Sequence, residues 1–339
     1  MTAHPLTRRG ILRVLGASAV SILPSLVPAG CRKEKSNHPG KKPLHRVHIA
    51  PCPEYDPEGL LGAIRTGWQS TRPPNVRGKR VVIKPNIADF SENRPIHTEP
   101  LLVEALALHL RELGAGEIIL AEGPPQNRDT EWLFRKSGFE GLSSALEIPL
   151  IDLNTDDIRP IRNARPKAGL LRDLLLPEVV LSADVLISVP KMKTHKLAGI
   201  TLSMKNMFGI VPGMKYGWPK NILHWNGIPR SIVEICATVP THYSIVDGVI
   251  GMEGHGPILG TARKAGVLVM GDSSLAVDAT AARIMGIEPA RVEYLAMAQA
   301  AHLGSLRIED IELTGADIRN VRTDFALEPE YARLRASRE

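Results

Sequence analysis

Seven short, mostly apolar runs recur along the chain, and they limit the folds open to it: 47–50 (VHIA), 80–84 (RVVIK), 117–121 (EIILA), 149–153 (PLIDL), 184–189 (DVLISV), 243–246 (YSIV) and 266–270 (GVLVM). Most are near-continuously hydrophobic rather than alternating, which fits strands covered on both faces, as in a parallel sheet. Stretches with helical periodicity separate several of them. Residues 98–113 place Leu102, Ala105, Leu106, Leu110 and Leu113 on one face, and Gly114 closes the run. Residues 272–285, with Asp272 as the expected N-cap and Gly286 after the end, form a second helix, and 291–302 a third. Strand, helix and strand in this order predict an α/β fold: a mostly parallel sheet flanked by helices, a cleft at the C-terminal ends of the strands, and room for one or two subdomains. The folded body is expected over 46–317, with a charged peripheral tail over 318–339.

The N-terminal segment reads differently. Thr7-Arg8-Arg9-Gly10-Ile11-Leu12 precedes an apolar stretch from Val14 to Val27, a pattern that resembles a twin-arginine export signal over residues 1–30. Ala29-Gly30-Cys31 resembles the end of a lipoprotein signal, with Cys31 the residue that would carry lipid, and a polar tether spans 31–45. The expected location is therefore outside the cytoplasm, in the periplasm or anchored to the cell envelope. Expected partners are the twin-arginine translocation machinery and a redox enzyme exported beside it. The membrane is met only through the signal or a lipid anchor.

Removing residues 1–30 deletes Arg8, Arg9 and Arg13 and no acid, which takes the formal charge from +6 to +3. That modest charge, with 4% aromatic residues, argues against a nucleic-acid binder. Cys52 and Cys236 stand apart from any Cys-x-x-Cys pair, so no iron–sulfur cluster is expected from this chain, while a disulfide between them stays open.

What charge there is lies in one place. Between Asp184 and Glu234 there is no acidic residue, yet the interval carries Lys191, Lys193, Lys196, Lys205, Lys215, Lys220 and Arg230. Many of its other residues are apolar. Lysines held together without acids repel one another and favour a bound anion. If the chain stays extended past Pro190, the two-residue period puts Lys191, Lys193 and His195 on one side. Lys84-Pro85-Asn86 follows one strand and Glu122-Gly123 another, so several strand ends present polar groups to one edge.

The catalytic candidates are His195 as proton carrier, with Lys193 and Lys205 polarising the anion; a lysine of lowered pKa is the alternative, as nucleophile. The anion-binding or cofactor-binding set is Lys84, Asn86, Lys191, Thr194, Asn206, Lys215, Gly248 and Gly254. Residues 247–257 (DGVIGMEGHGP) supply Asp247, Glu253 and His255, which with His224 are candidate ligands for a divalent metal, although their spacing matches no defined metal motif. Asp278 either reaches the same crevice or lies in water.

Together, VVIKPN (81–86), ADVLISVPKMKTH (183–195), TLSMKNMFGIVPG (201–213), His224, IVDGVIGMEGHGP (245–257) and SSLAVDATAARIMGI (273–287) resemble the family called domain of unknown function 362 (DUF362), over roughly 45–315. Some members carry ferredoxin-like modules, whose cysteines this chain lacks. A more distant resemblance to nickel-dependent lactate racemase implies a related fold and a bound anionic cofactor. The expected function is binding of a small anionic substrate, or of an anionic or metal cofactor, in a Lys/His/Asn-lined cleft, with proton transfer as its chemistry. A non-catalytic binding or accessory protein for a redox enzyme is the alternative.

Overall fold

The computed structural model describes residues 44–125, 129–166 and 171–337. The export signal, Cys31 and nearly all of the tether lie outside the described residues. Ten strands make one mixed sheet: β1 (His45–Pro51), β2 (Arg80–Lys84), β3 (Glu117–Glu122), β4 (Leu150–Asp152), β7 (Val185–Ser188), β8 (Lys191–His195), β9 (Gly199–Thr201), β10 (Tyr243–Glu253), β11 (Thr261–Gly271) and β12 (Ile311–Gly315). A separate antiparallel pair is formed by β5 (Ile158–Arg162) and β6 (Asp173–Pro177). The main order is β12-β1-β11-β10-β7-β2-β3-β4, with β8 beside β10 and β9 beside β8. Pairing is parallel from β10 through β7, β2 and β3 to β4, and antiparallel where β11 meets β10 and β1.

Alternation within the apolar runs explains their composition. Val81, Ile83, Leu120 and Ile187 enter one core, and their neighbours Val82, Ile119 and Leu186 enter the other. Both faces are covered, so neither set can be polar. Helices Pro57–Ser70, Pro100–Glu112 and Phe139–Leu146 cover one face, and helices Ile228–Thr238, Ser274–Ile284 and Glu293–Ala300 the other. Each buried aliphatic side chain contributes about 1.5–3 kcal/mol of transfer free energy. The mostly parallel α/β architecture expected from the sequence is the one observed.

Several boundaries differ for local reasons. The Ser274–Ile284 helix is capped by Ser273, whose hydroxyl accepts from Ala276 N at 3.4 Å, not by Asp272. Thr98 does not cap the helix at 100. Its hydroxyl accepts from Asn86 N at 2.9 Å and donates to Val189 O at 2.6 Å, pinning the end of β2 to the end of β7. Asp278 is neither in water nor at the cleft: fully buried, it accepts from Ser203 N and Met204 N and so caps a neighbouring short helix, Ser203–Asn206. Cys52 and Cys236 are free thiols.

The C-terminal segment is not peripheral. Phe325 and Leu334 are buried in the core, Ile287 bridges Arg335, and the Tyr331 hydroxyl donates to Lys196 O at 3.0 Å. Charge on Arg319, Arg322 and Arg333 had masked two apolar anchors.

Candidate functional site

Three parallel strands end side by side, and the residues that finish them form a polar floor. Lys84, last in β2, donates to both carboxylate oxygens of Glu122, last in β3, at 2.7 Å each. It also donates to Pro85 O at 2.9 Å. Glu122 further accepts from Ile87 N at 2.9 Å and Gly123 N at 2.8 Å, so both its oxygens are committed. Asn206 closes the group: its amide nitrogen donates to Lys84 O and to Ser188 Oγ on β7. A buried pair is tolerated only when its remaining valences are satisfied in this way. Gly209 covers it so closely that an added Cβ would sit 2.6 Å from Glu122 Oε1 and 2.7 Å from Lys84 Nζ.

Above this floor opens a cavity of about 360 Å³, lined by residues from strand ends, the β8–β9 hairpin and the segments after it. A volume of this size suits a small organic ligand. Three buried or cavity-lining lysines face it without a carboxylate partner among the described residues. Lys193 is fully buried and donates to Ile96 O at 2.7 Å. Lys205 lays its ammonium group 4.4 Å from the centre of the Phe208 ring. Lys220, also fully buried and held at φ 68°, donates to the carbonyls of Gly123, Phe208 and Gly209. Burial, then the repulsion of neighbouring cations, pulls Lys193 down to about 7 and Lys205 to about 8. Burial likewise pulls Lys220 down to about 7, against an opposing pull from Glu122.

The two histidines of the cavity hold opposite tautomers. His195 Nδ1 accepts from the backbone amides of Leu197 and Ala198 at 3.0 and 3.2 Å, so its proton must be on Nε2. Burial and the nearby lysines hold it well below the usual imidazole range. His195 is thus a neutral hydrogen-bond donor with no lone pair to spare, and the role of proton carrier does not fit it. His224 Nδ1 lies 3.1 Å from Lys220 O, an obligate acceptor, so Nδ1 carries a hydrogen and Nε2 is the ring nitrogen left for the cavity. Two further polar atoms, Asn86 Oδ1 and Thr201 Oγ1, are buried without a partner among the described residues, and both residues line the cavity. Orphaned buried groups of this kind call for a missing partner.

Of the residues singled out in the sequence, Lys193, His195, Lys205, Asn86, Asn206 and His224 line one cavity, with Lys84 in its floor. Lys191 goes elsewhere, donating to Asp247 Oδ2 at 2.6 Å and to the Tyr55 hydroxyl at 2.8 Å. Thr194 donates to Gly254 O, Lys215 is exposed, and Gly248 packs within a strand against Met192 and Val267. The four candidate metal ligands are not brought together. Asp247 is taken by Lys191 and Tyr55, Glu253 accepts from Ala326 N, and His255 is half exposed beside Glu328. Among the described residues no three His, Cys, Asp or Glu side chains are grouped to hold a metal ion. Lys220, Glu122 and Thr201 were not assigned as site residues. Lys220 belongs to the acid-free interval and Glu122 to a strand end, so the signal for both was present.

Residues 81–283 match the family described as domain of unknown function (DUF362). The chain belongs to the DUF362 family. It is 30% identical, over 261 residues, to the thylakoid-associated protein sll1697 of Synechocystis sp., covering 74% of this chain and 77% of that relative. Two solved structures resemble this DUF362 chain more remotely, each at 13% identity. One is the lactate racemase apoprotein from Thermoanaerobacterium thermosaccharolyticum (TM-score 0.40; 66% of this chain, 54% of that one). The other is a protein from Thermotoga maritima (TM-score 0.31; 58% and 50%). The chain spans about half the length of these two structures.

Proposed function

We propose that the cavity binds a small molecule bearing a carboxylate or phosphate group, and that it is built to move a proton to or from that molecule. One observation carries this reading: Lys193, Lys205 and Lys220 crowd a single cavity in which, among the described residues, the one lining carboxylate, Glu122, is already occupied by Lys84. An entering oxyanion would take donors from Lys193, Lys205, His195 Nε2 and Thr201 Oγ1, and would restore the charge that burial has suppressed. Lys220 spends its donors on three carbonyls and so positions the turn that closes the cavity rather than meeting the ligand directly. Proton transfer would fall to His224, through Nε2, or to Lys193 in its neutral form.

The test is a calorimetric titration of the leaderless protein with inorganic phosphate and with acetate, beside Lys193→Met. Binding that takes up protons near pH 8 and weakens at least tenfold in the variant supports the reading; identical isotherms for the two proteins would end it. Delivery to the cell envelope rests on the twin arginine at Arg8 and Arg9, and the thylakoid association of a relative is compatible with it. Export that persists after both arginines are changed to lysine would exclude that route.

A further inference from the structure

Part of the lining of the same cavity is apolar. Leu197, Ile228, Pro257 and Ile258 line it, and at its mouth Leu197 is 51% exposed. The residue after His224, Trp225, is 74% exposed, and the residue after Ile258, Leu259, is 55% exposed. Three of the most exposed large hydrophobic side chains among the described residues thus sit on segments that shape one opening. Scattered surface hydrophobics need no explanation, but a group at the entrance to a ligand cavity does. The rim is also free of acid on the hairpin and helix side: Lys196 lines the opening, and the interval from Val185 to Val233 holds no Asp or Glu.

We infer that the ligand is an amphiphilic anion, with its oxyanion head among Lys193, Lys205 and Thr201 and its hydrocarbon part leaving the cavity across Leu197, Trp225 and Leu259. This rests on the anion-binding reading and adds the class of molecule. A cavity of about 360 Å³ holds roughly a dozen waters' worth of volume at about 30 Å³ each, so a longer chain must emerge over the rim. The head needs one donor as well as its anionic oxygens. Asn86 Oδ1 is a buried acceptor with no donor among the described residues, and a hydroxyl or amine near the head would satisfy it.

The probes are straight-chain carboxylates from acetate to decanoate and alkyl phosphates from ethyl to decyl, all below their micelle concentrations. Affinity should climb about three- to fourfold per added methylene, the factor expected when each CH₂ leaves water, and should level off once the tail clears the rim. Decanoate or decyl phosphate should shift the emission of the protein to shorter wavelength, and Trp225→Phe should remove that shift. Leu197→Ser combined with Trp225→Ser should flatten the chain-length dependence. Equal affinity for acetate and decanoate, with Lys193→Met still weakening both, overturns the amphiphile while leaving anion binding in place. Long-chain binding that Lys193→Met does not weaken overturns both. The better of the two series identifies the head group.

Discussion

Lys191 and Lys193 stand two residues apart on β8, both buried, and the protein treats them in opposite ways. Lys191 is neutralised within a closed network: Asp247 accepts from it, from the Tyr55 hydroxyl at 2.8 Å and from Glu99 N at 3.0 Å, and Tyr55 in turn accepts from Ile250 N. Lys193 has, among the described residues, one carbonyl and an open cavity. A buried charge costs several kcal/mol in desolvation, and the first site offsets that cost internally while the second leaves it unmet. The contrast separates structural lysines from binding lysines, which composition and spacing cannot do.

The comparison can be broken most severely at Asp247. Asp247→Ala strands Lys191 and Tyr55 and should cost about 3–5 kcal/mol in denaturant unfolding. The pH dependence follows next. Lys193 and Lys220 sit at about 7 and Lys205 at about 8 when folded, against 10.5 ordinarily. Between those values the unfolded chain holds protons that the folded chain has released, so the unliganded protein should gain stability as pH rises from about 7 towards 10. Bound anion raises the folded values, so its affinity should fall over the same rise and the gain in stability should flatten. Thermal melts at stepped pH, with and without phosphate, read both effects.

Gly209→Ala tests the floor: its new methyl meets the Lys84–Glu122 pair and should cost about 1–3 kcal/mol in the same unfolding assay, as overpacking does. Lys193→Met is the smallest effect on stability and the sharpest contrast with Asp247→Ala. Removing an uncompensated buried charge should leave the unfolding midpoint unchanged or raise it, while the phosphate isotherm is lost.

The sheet was legible because strands covered on both faces must be apolar throughout, and 80–84 matches its observed span residue for residue. The site was legible in part, from the absence of acid between Asp184 and Glu234. The rest depends on contacts distant in sequence. Glu122 meets Lys84 across 38 residues, and Asp278 caps Ser203 across 75. Nothing local to Lys191 signals that Asp247, 56 residues away, will neutralise it. The tautomer of His195 is set by the turn at Leu197 and Ala198, which periodicity does not reveal. The helix at 57–70 had its own signal, Asp56 followed by Pro57, and Asp56 does accept from Gly59 N at 2.7 Å.

β10 pairs with β7 through Tyr243 and Ser244, then with β8 from Asp247 onward, so β7 and β8 run as one line interrupted at Val189-Pro190. The cavity wall is the second part of that line, β8, which stays beside β10 and doubles back as a short hairpin with β9. β8 meets β10 across an irregular register and β9 over a short one, so the hairpin can open at lower cost than the central strands. Amide hydrogens of Lys193 to Thr201 should therefore trade with solvent deuterium sooner than those of β2 and β7, and an occupant of the cavity should slow them selectively.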